Sequence, residues 1–302
     1  MTPCHNQAGF LEETIRSVLE QDYPALEYLI VDDGSTDGSA DIIHRYAESL
    51  AWWTVQPNAG ASAALNRGFE HARGDYLGFL SSDDTLLPGA ISRLVNVLER
   101  EPGAVLAYGD GLYTDEASET IGYAFSREWD TRWVLRTAKN PIVQQAALWT
   151  RRGWELAGPL DEDSGYFFDL EFYLRLSVHG RLQRIPEPLA TVRLHPATKS
   201  SNVLLKAQDA GRFADVVLMD PQLPVPLRPD ARRGRAAMLL RSGMNYYVAL
   251  DLPRARRQLL RAFSAHPAVV SRRWAVLLVK SVLPTPVVRR LRARRVRSLG
   301  IA

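Results

Sequence analysis

The chain has a single cysteine, Cys4, among its 302 residues, so an internal disulfide is excluded. One unpaired cysteine is typical of a protein from a reducing compartment, which predicts a cytoplasmic location. Long apolar runs are also absent, since the best candidate, residues 274–279, ends at Lys280. A membrane-spanning helix needs about 20 apolar residues, and no signal peptide is recognisable, so we expect neither a span nor a leader.

Several motifs that identify common enzyme classes are missing as well. The chain contains no Gly-x-Gly-x-x-Gly fingerprint, no Walker lysine loop, no nucleophile elbow and no zinc-type spacing of cysteine and histidine. The missing glycine fingerprint argues strongly against an α/β dehydrogenase, which needs it to approach a dinucleotide.

The charged residues are unevenly distributed along the chain. Residues 231–302 carry sixteen arginines and one lysine against a single acid, Asp251, whereas residues 1–230 carry 20 basic and 33 acidic residues. Few aromatic residues lie among the arginines, and the acidic remainder opposes broad phosphate binding, so we expect no nucleic-acid partner. A peripheral contact of the basic region with an anionic membrane surface and a merely solvated basic helix both stay open.

Short apolar runs and amphipathic stretches alternate through the first part of the chain. This alternation predicts an α/β fold, a Rossmann-like and mostly parallel sheet flanked by helices. Strands are expected at 28–31, 52–55, 76–80 and 104–108, an extended segment at 182–192, and helices at 11–21, 39–50, 61–73, 88–99 and 167–178. A helix pair is expected within 231–267, with its turn at 250–255.

Two acidic clusters fall directly after predicted strands. Asp83 and Asp84 follow one strand, and Asp32 and Asp33 follow another. In parallel sheets, ligands bind at the carboxyl ends of the strands. Adjacent carboxylates are hard oxygen ligands that suit Mg²⁺ or Mn²⁺, and such an ion can bridge the phosphates of a nucleotide. This metal interpretation applies to Asp83 and Asp84, for which a solvated turn that caps the following helix is the equally weighted alternative. At Asp32 and Asp33 a carboxylate could accept hydrogen bonds from a base or ribose, but an Asx-turn and helix cap is favoured there in isolation.

Two further regions carry residues of catalytic type. Asp169 and Glu171 lie near the start of a predicted helix, where one of them could accept a proton from an acceptor hydroxyl or both could interact favourably with the helix dipole. Arg193, His195 and Lys199 lie in one polar segment that suits closure over a diphosphate. In isolation, each pattern favours the purely structural interpretation.

Taken in order, a set of short stretches resembles the family 2 glycosyltransferases with the GT-A fold. The similarity covers about residues 1–202, and the order and spacing of the stretches make it specific. They are residues 2–7, 11–24, 31–37, 58–60, 64–68, 74–76, 80–84, 87–89, 168–176, 185–189 and 193–200.

The resemblance implies an inverting enzyme and a role for each matching residue. The donor is a nucleotide diphosphate-sugar, by default a uridine one, and the acceptor is a glycan or a lipid-linked molecule. Asp169 would deprotonate the acceptor hydroxyl, while Asp83 and Asp84 would hold Mg²⁺ or Mn²⁺. The donor site would further contain Pro3, His5, Asp33, Asn66, Asp84, Arg193, His195 and Lys199.

The chain departs from the family pattern at three places. Ser81 stands where the metal-binding Asp-x-Asp motif has its first acid, and Phe168 replaces the acid that normally precedes the base. Residues 1–6 look like the loop that normally follows the first strand, and no strand-like residues come before them. We therefore expect the first strand to be missing. A catalytically impaired nucleotide-sugar-binding relic of the same fold is therefore the alternative function.

The resemblance, the proline content and the charge distribution together predict three regions of the chain. We expect a GT-A domain over residues 1–220, a proline-rich linker over 221–230, and a basic helical region over 231–302.

Overall fold

The computed structural model describes residues 1–196, 202–269 and 272–289, and it divides the chain into two compact units. The first unit comprises Met1–Thr131 and Asn140–Ala197, and the second comprises Arg132–Lys139 and Thr198–Ala302. The fold is α/β, with helices flanking the strands of the first unit. Among the described residues, no helix is both long enough and apolar enough to cross a membrane.

The first unit begins with three parallel strands. In chain order β1, β2 and β3 are Thr2–Cys4, Leu29–Asp32 and Trp52–Val55, and the order in the sheet is the same. All four residues of β2 are buried, as expected of a central strand. The parallel arrangement puts the carboxyl ends of the three strands at one edge.

The predicted absence of the first strand is wrong. Thr2 and Cys4 are fully buried, and β1 pairs in register with β2. On its other side, the carbonyl of Met1 accepts a hydrogen bond from the backbone N–H of Leu80, at 3.0 Å. Thr2 is also held by a side-chain hydrogen bond to the Tyr28 hydroxyl, at 2.9 Å. Three residues therefore suffice for a strand when neighbours on both sides satisfy their backbone groups.

The remaining strands of this unit form a mixed sheet. β4 pairs antiparallel with β7, which pairs antiparallel with the long strand β5; β5 pairs antiparallel with β6 and parallel with β8. The pairing of β5 with β8 has register shifts, and two of them lie beside Pro186 and Pro188, which have no N–H to donate to the ladder. The bounds of β4 to β8 are Tyr76–Leu77, Ala104–Thr114, Thr120–Ala124, Ala147–Thr150 and Arg181–Arg193.

Amphipathic helices cover these strands. In the helix Ala90–Arg100, for example, Leu94, Val95 and Leu98 form part of the buried face. A core cluster around Trp149, Phe172 and Tyr173 packs the seventh helix against the mixed sheet. The helices α1 to α4, α6 and α7 are Leu11–Leu19, Ser39–Arg45, Ala61–His71, Ala90–Arg100, Arg151–Ala157 and Phe168–Leu176, and α5, Thr131–Thr137, begins at the border of the two units.

The second unit is helical and begins earlier than the predicted boundary at residue 220. Its further helices, α8 to α11, are Val203–Val216, Arg228–Val248, Leu252–Ala265 and Arg272–Ser281. Small residues let α8 and α9 approach closely, and the Ser242 hydroxyl donates to the carbonyl of Ala207 at 2.6 Å. Pro226 and Pro229 lie in the first turn of a helix, where their fixed φ fits, so residues 221–230 contain a helical turn and the start of α9 in place of a plain linker. The predicted helix pair is confirmed as α9 and α10.

Candidate functional site

Two of the predicted donor residues meet at the carboxyl edge of the parallel strands. His5 directly follows β1 and Asp33 directly follows β2, and Nδ1 of His5 lies 2.8 Å from the carbonyl oxygen of Asp33. The imidazole of His5 is exposed, whereas Asp33 is almost fully buried. Pro3 lies within β1 itself, paired with Val31, and is partly exposed. The structure therefore gathers these three residues near the carboxyl ends of β1 and β2.

The carboxylate of Asp33 is held by three donors from the loop after β3. Oδ1 accepts from the Gln56 side-chain amide at 2.8 Å and from the Ala59 backbone at 2.9 Å. Oδ2 accepts from the backbone N–H of Gly60 at 2.8 Å. Since a carboxylate can accept about four hydrogen bonds, capacity for one further donor remains.

Gln56 is a site residue that the sequence interpretation missed. It is buried, it donates to Asp33, and its Oε1 accepts from the Arg67 guanidinium at 2.9 Å. The only signal was its position directly after β3, where a buried amide needs polar partners. Gln56 therefore joins Asp33 to Arg67 without a direct ion pair.

Asn66 is placed differently from the other predicted donor residues. Its Nδ2 donates to the carbonyl of Leu160 at 2.9 Å and to Glu162 at 3.1 Å, and its Oδ1 accepts from the backbone N–H of Leu160. These bonds use the amide to tie α3 to the segment before α7. The contacts favour a structural role, and donor binding by Asn66 stays a prediction.

The second acidic cluster forms a turn after residue 80, and its two carboxylates have different surroundings. Oδ2 of Asp83 lies 3.0 Å from Nε2 of His195, and both side chains are mostly buried. Oδ1 of Asp84 accepts from the backbone N–H of Arg193 at 2.7 Å, and its Oδ2 accepts from the amide of Gln145 at 2.6 Å. Burial, together with the neighbouring charge of Asp83, raises the pKa of Asp84 to about 8. These contacts favour a positioning role for Asp84 over the predicted contact with metal and donor.

Arg193 is predicted to bind the diphosphate, but its side chain is buried within the protein. The guanidinium donates to the carbonyls of Asp83 and Asp115 and to Glu13, at 2.8, 3.0 and 2.6 Å. The guanidinium carbon Cζ of Arg193 also lies 4.8 Å from the centre of the Phe10 ring. The centres of the Phe10 and His195 rings are 4.8 Å apart. Arg193 thus fixes the turn that carries Asp83 against the start of α1.

Asp169 lies in the first turn of α7 and is partly exposed. Its Oδ2 accepts from the side-chain amide of Asn140 at 2.8 Å. Burial and then the charge of Asp169 raise the pKa of two nearby phenols, Tyr166 and Tyr173, so all three groups share one neighbourhood. Lys199 lies outside the described residues.

The contacts of these side chains limit which of them could bind a divalent ion. Across the described ranges, no three metal-binding side chains converge on one point. Asp83 and His195 nevertheless offer one carboxylate oxygen and one imidazole nitrogen, donor types that Mn²⁺ accepts. An apolar cavity of about 250 Å³ lies among Tyr28, Phe69 and Leu94, and none of the predicted site residues lines it.

The chain is similar in sequence to known glycosyltransferases. A family model described as glycosyl transferase family 2 matches residues 1–155. The chain is 42% identical over 87 residues to a teichuronic acid biosynthesis glycosyltransferase, TuaG, of Bacillus subtilis, covering 28% of this chain and 34% of that protein. It is 34% identical over 213 residues to an uncharacterized glycosyltransferase of Rickettsia prowazekii, covering 68% of this chain and 67% of the relative.

Solved structures share the fold. One is the mannosyltransferase PcManGT of Pyrobaculum calidifontis in complex with GDP-Man and Mn²⁺, with a TM-score of 0.59 at 22% sequence identity. The match covers 92% of this chain and 77% of the PcManGT chain. TarS residues 1–349 of S. aureus, in complex with UDP-GlcNAc, has a TM-score of 0.66 at 15% identity and matches 97% of this chain and 86% of its own.

Proposed function

Because the chain belongs to glycosyl transferase family 2, we propose that it transfers a sugar, with inversion, from a nucleotide diphosphate-sugar to a glycan or lipid-linked acceptor in cell-surface polysaccharide biosynthesis. The observation that carries this proposal is the pairing of Asp83 with His195, held in place by Arg193. The similarity to TuaG, a glycosyltransferase of teichuronic acid biosynthesis, supports the pathway, and the chain spans about a third of the length of TuaG.

The donor would bind along the carboxyl edge of the parallel strands. His5, Asp33 and the adjoining Gln56 and Arg67 would receive the nucleoside, and Asp83 with His195 would hold Mn²⁺ or Mg²⁺ beside the diphosphate. When bound, such an ion offsets the negative charge that develops on the leaving diphosphate. PcManGT, crystallised with GDP-Man and Mn²⁺, supports the choice of ion by analogy.

Asp169 would act as the base for the acceptor. Its carboxylate takes the proton of the acceptor hydroxyl, whose oxygen forms a bond to the anomeric carbon. The bond from that carbon to the diphosphate oxygen breaks on the opposite face, so the configuration inverts and the nucleoside diphosphate leaves. The partial exposure of Asp169 gives an acceptor access to it.

Calorimetry with uridine, guanosine and thymidine diphosphates, each with and without Mn²⁺, tests the donor site. We expect one nucleotide to bind in a metal-dependent manner and Asp83→Ala and His195→Ala to abolish the dependence on metal. Asp169→Asn should keep donor binding and lose transfer. A wild-type protein that binds the donor but transfers nothing to any acceptor would favour the relic alternative, and a folded protein that binds no nucleotide would contradict the proposal.

The proposal includes a peripheral contact of the second unit with an anionic membrane surface. On α10, Arg256 and Arg257 are exposed beside the exposed apolar side chains of Leu260 and Phe263. No acidic residue follows Asp251 in the sequence. Exposed arginines next to apolar side chains on one helix are typical of helices that lie in the lipid interface.

A further inference from the structure

Residues 140–145 connect the proposed base to the donor-side turn. At one end, Nδ2 of Asn140 donates to Oδ2 of Asp169 at 2.8 Å. At the other end, Nε2 of Gln145 donates to Oδ2 of Asp84 at 2.6 Å. Between them, Nε2 of Gln144 donates to the carbonyl of Phe79 at 2.6 Å. One short segment therefore contacts both sides of the proposed reaction centre through amide side chains.

The orientation of the Asn140 amide is fixed by a second hydrogen bond. Its Oδ1 accepts from the backbone N–H of Ile142 at 3.0 Å, which leaves Nδ2 to face Asp169. The backbone beyond is anchored as well, because Pro141 and Ile142 are buried and the carbonyl of Pro141 accepts from the N–H of Arg127 at 2.8 Å. A donor held in this way favours the ionised form of the carboxylate that it contacts.

We propose that Asn140 is a positioning residue that orients the Asp169 carboxylate and keeps it ionised, with the segment 140–145 holding it in register with the donor turn. The inference rests on the proposed role of Asp169 as the base.

Two phenols lie near Asp169. Tyr166, on the turn before α7, and Tyr173, one helical turn onward, are titratable groups whose pKa values the charge of Asp169 raises. Both phenols stay neutral across the pH range in which a carboxylate titrates, so their own titration does not overlap with that of Asp169.

The test compares Asn140→Ala and Asn140→Asp with the wild-type full-length chain. The pKa of Asp169 is followed by carboxyl ¹³C NMR, with the resonance assigned by Asp169→Asn. We expect the pKa to rise by roughly half a unit to one unit in the alanine variant and by more in the aspartate variant, where a like charge replaces the donor. In transfer assays, kcat of the alanine variant at low pH should fall about three- to tenfold, in step with that rise, and recover as the pH rises above the new pKa.

Asn96, an exposed asparagine on α4, provides the matched controls Asn96→Ala and Asn96→Asp. Neither control should move the pKa of Asp169 or the pH profile. An unchanged Asp169 pKa in both Asn140 variants, or a loss of kcat of equal size at every pH, would overturn the inference even if transfer is established. Absence of transfer by the wild type would instead count against the proposed function, while the order of the three NMR pKa values would still decide the contact.

Discussion

The side chain of Arg193 holds together segments that are far apart in sequence. Replacement by alanine would leave the partly buried carbonyls of Asp83 and Asp115 without their donor. Because unsatisfied buried acceptors are costly, we expect Arg193→Ala to lower the free energy of unfolding by about 3 kcal/mol. Urea denaturation measures this loss, and metal-dependent donor binding should weaken with it.

Arg181 provides the control, because it stands at the other end of the same strand and forms an exposed ion pair with Glu101. Arg181→Ala should change the free energy of unfolding by less than about 0.5 kcal/mol. Equal losses in the two variants would contradict the role given to Arg193.

Cys4 should be unreactive in the folded protein. Its thiol is buried, and burial is the main cause that raises its pKa to about 11. Only the thiolate reacts with alkylating reagents, so at pH 8 the folded chain should react with iodoacetamide about 100-fold more slowly than the urea-unfolded chain. Mass spectrometry of the labelled fraction over time checks this, and comparable rates in the two states would refute it.

At the scale of single residues, the sequence allowed the charged members of the site to be predicted better than its amides. Asp83 and His195 were both predicted, and the structure places them in contact. Gln56, Asn140 and Gln145 were missed, because an amide carries no chemical signature and its partner here lies 23, 29 or 61 residues away in sequence. Such pairings follow from tertiary structure and not from local pattern.

The start of α3 depends on the backbone conformation of Gly60. Its φ of 92° and ψ of 159° lie in a region open almost only to glycine, and its N–H donates to Asp33. Gly60→Ala should cost about 1–3 kcal/mol of stability and weaken nucleotide binding, because the strained loop no longer presents that N–H correctly. Thermal denaturation and calorimetry measure the two effects.

Gly9 serves as the control glycine. A Cβ added there or at Gly60 meets no atom within 4 Å, but φ lies in the left-handed region only at Gly60. Gly9→Ala should therefore change neither stability nor nucleotide binding, and a loss in both variants would point to an effect other than backbone strain.

Among the elements, those with a strong local pattern were predicted well. The strand at 52–55 has the predicted bounds, and α1, α3 and α7 differ from prediction by two residues or fewer at each end. The strands β1, β6 and β7 were missed. Each has five residues or fewer. The strands β1 and β7 are defined by pairing with a strand distant in sequence. The strand β6 pairs with the preceding strand β5, but four of its five residues are exposed, so no alternating apolar pattern marks it.

At the scale of the whole molecule, the separation of charge leads to a prediction about vesicles. The full chain should bind vesicles that contain phosphatidylglycerol and not vesicles of phosphatidylcholine alone, and binding should weaken between 0.1 and 0.5 M salt, conditions of about 10 Å and 4 Å screening length. Arg256→Gln with Arg257→Gln should weaken binding at least about tenfold, since each cation contributes about 1 kcal/mol.

Leu260→Ser with Phe263→Ser tests the apolar part of the same helix face, and Val225→Ser, another exposed apolar residue of this unit, is the control. Cosedimentation with vesicles measures the binding of the arginine variant, the serine variant and the control. Undiminished binding by both α10 variants would place the contact elsewhere, and absence of binding by the wild type would remove the membrane partner from the proposal.

The division of the chain into units could not be read from composition. The prolines of residues 221–230 suggested a linker, yet the unit border lies earlier, and α8 joins the helical unit through its small residues. Proline has no backbone N–H to donate, and neither the first turn of a helix nor a linker needs that donor. Proline content alone is therefore compatible with both. Only the packing of α8 on α9 distinguishes the two.

The register shifts between β5 and β8 also have an evolutionary consequence. Between Tyr108 and Gly111, β5 advances three residues while β8 advances six, from Arg184 to Ala190. Beyond this irregular stretch the strands are paired in step up to Thr114 and Arg193. An insertion or deletion within 185–189 can therefore be absorbed without displacing Arg193. We expect length variation among homologues to concentrate in this stretch, while the spacing from residue 190 to His195 stays constant.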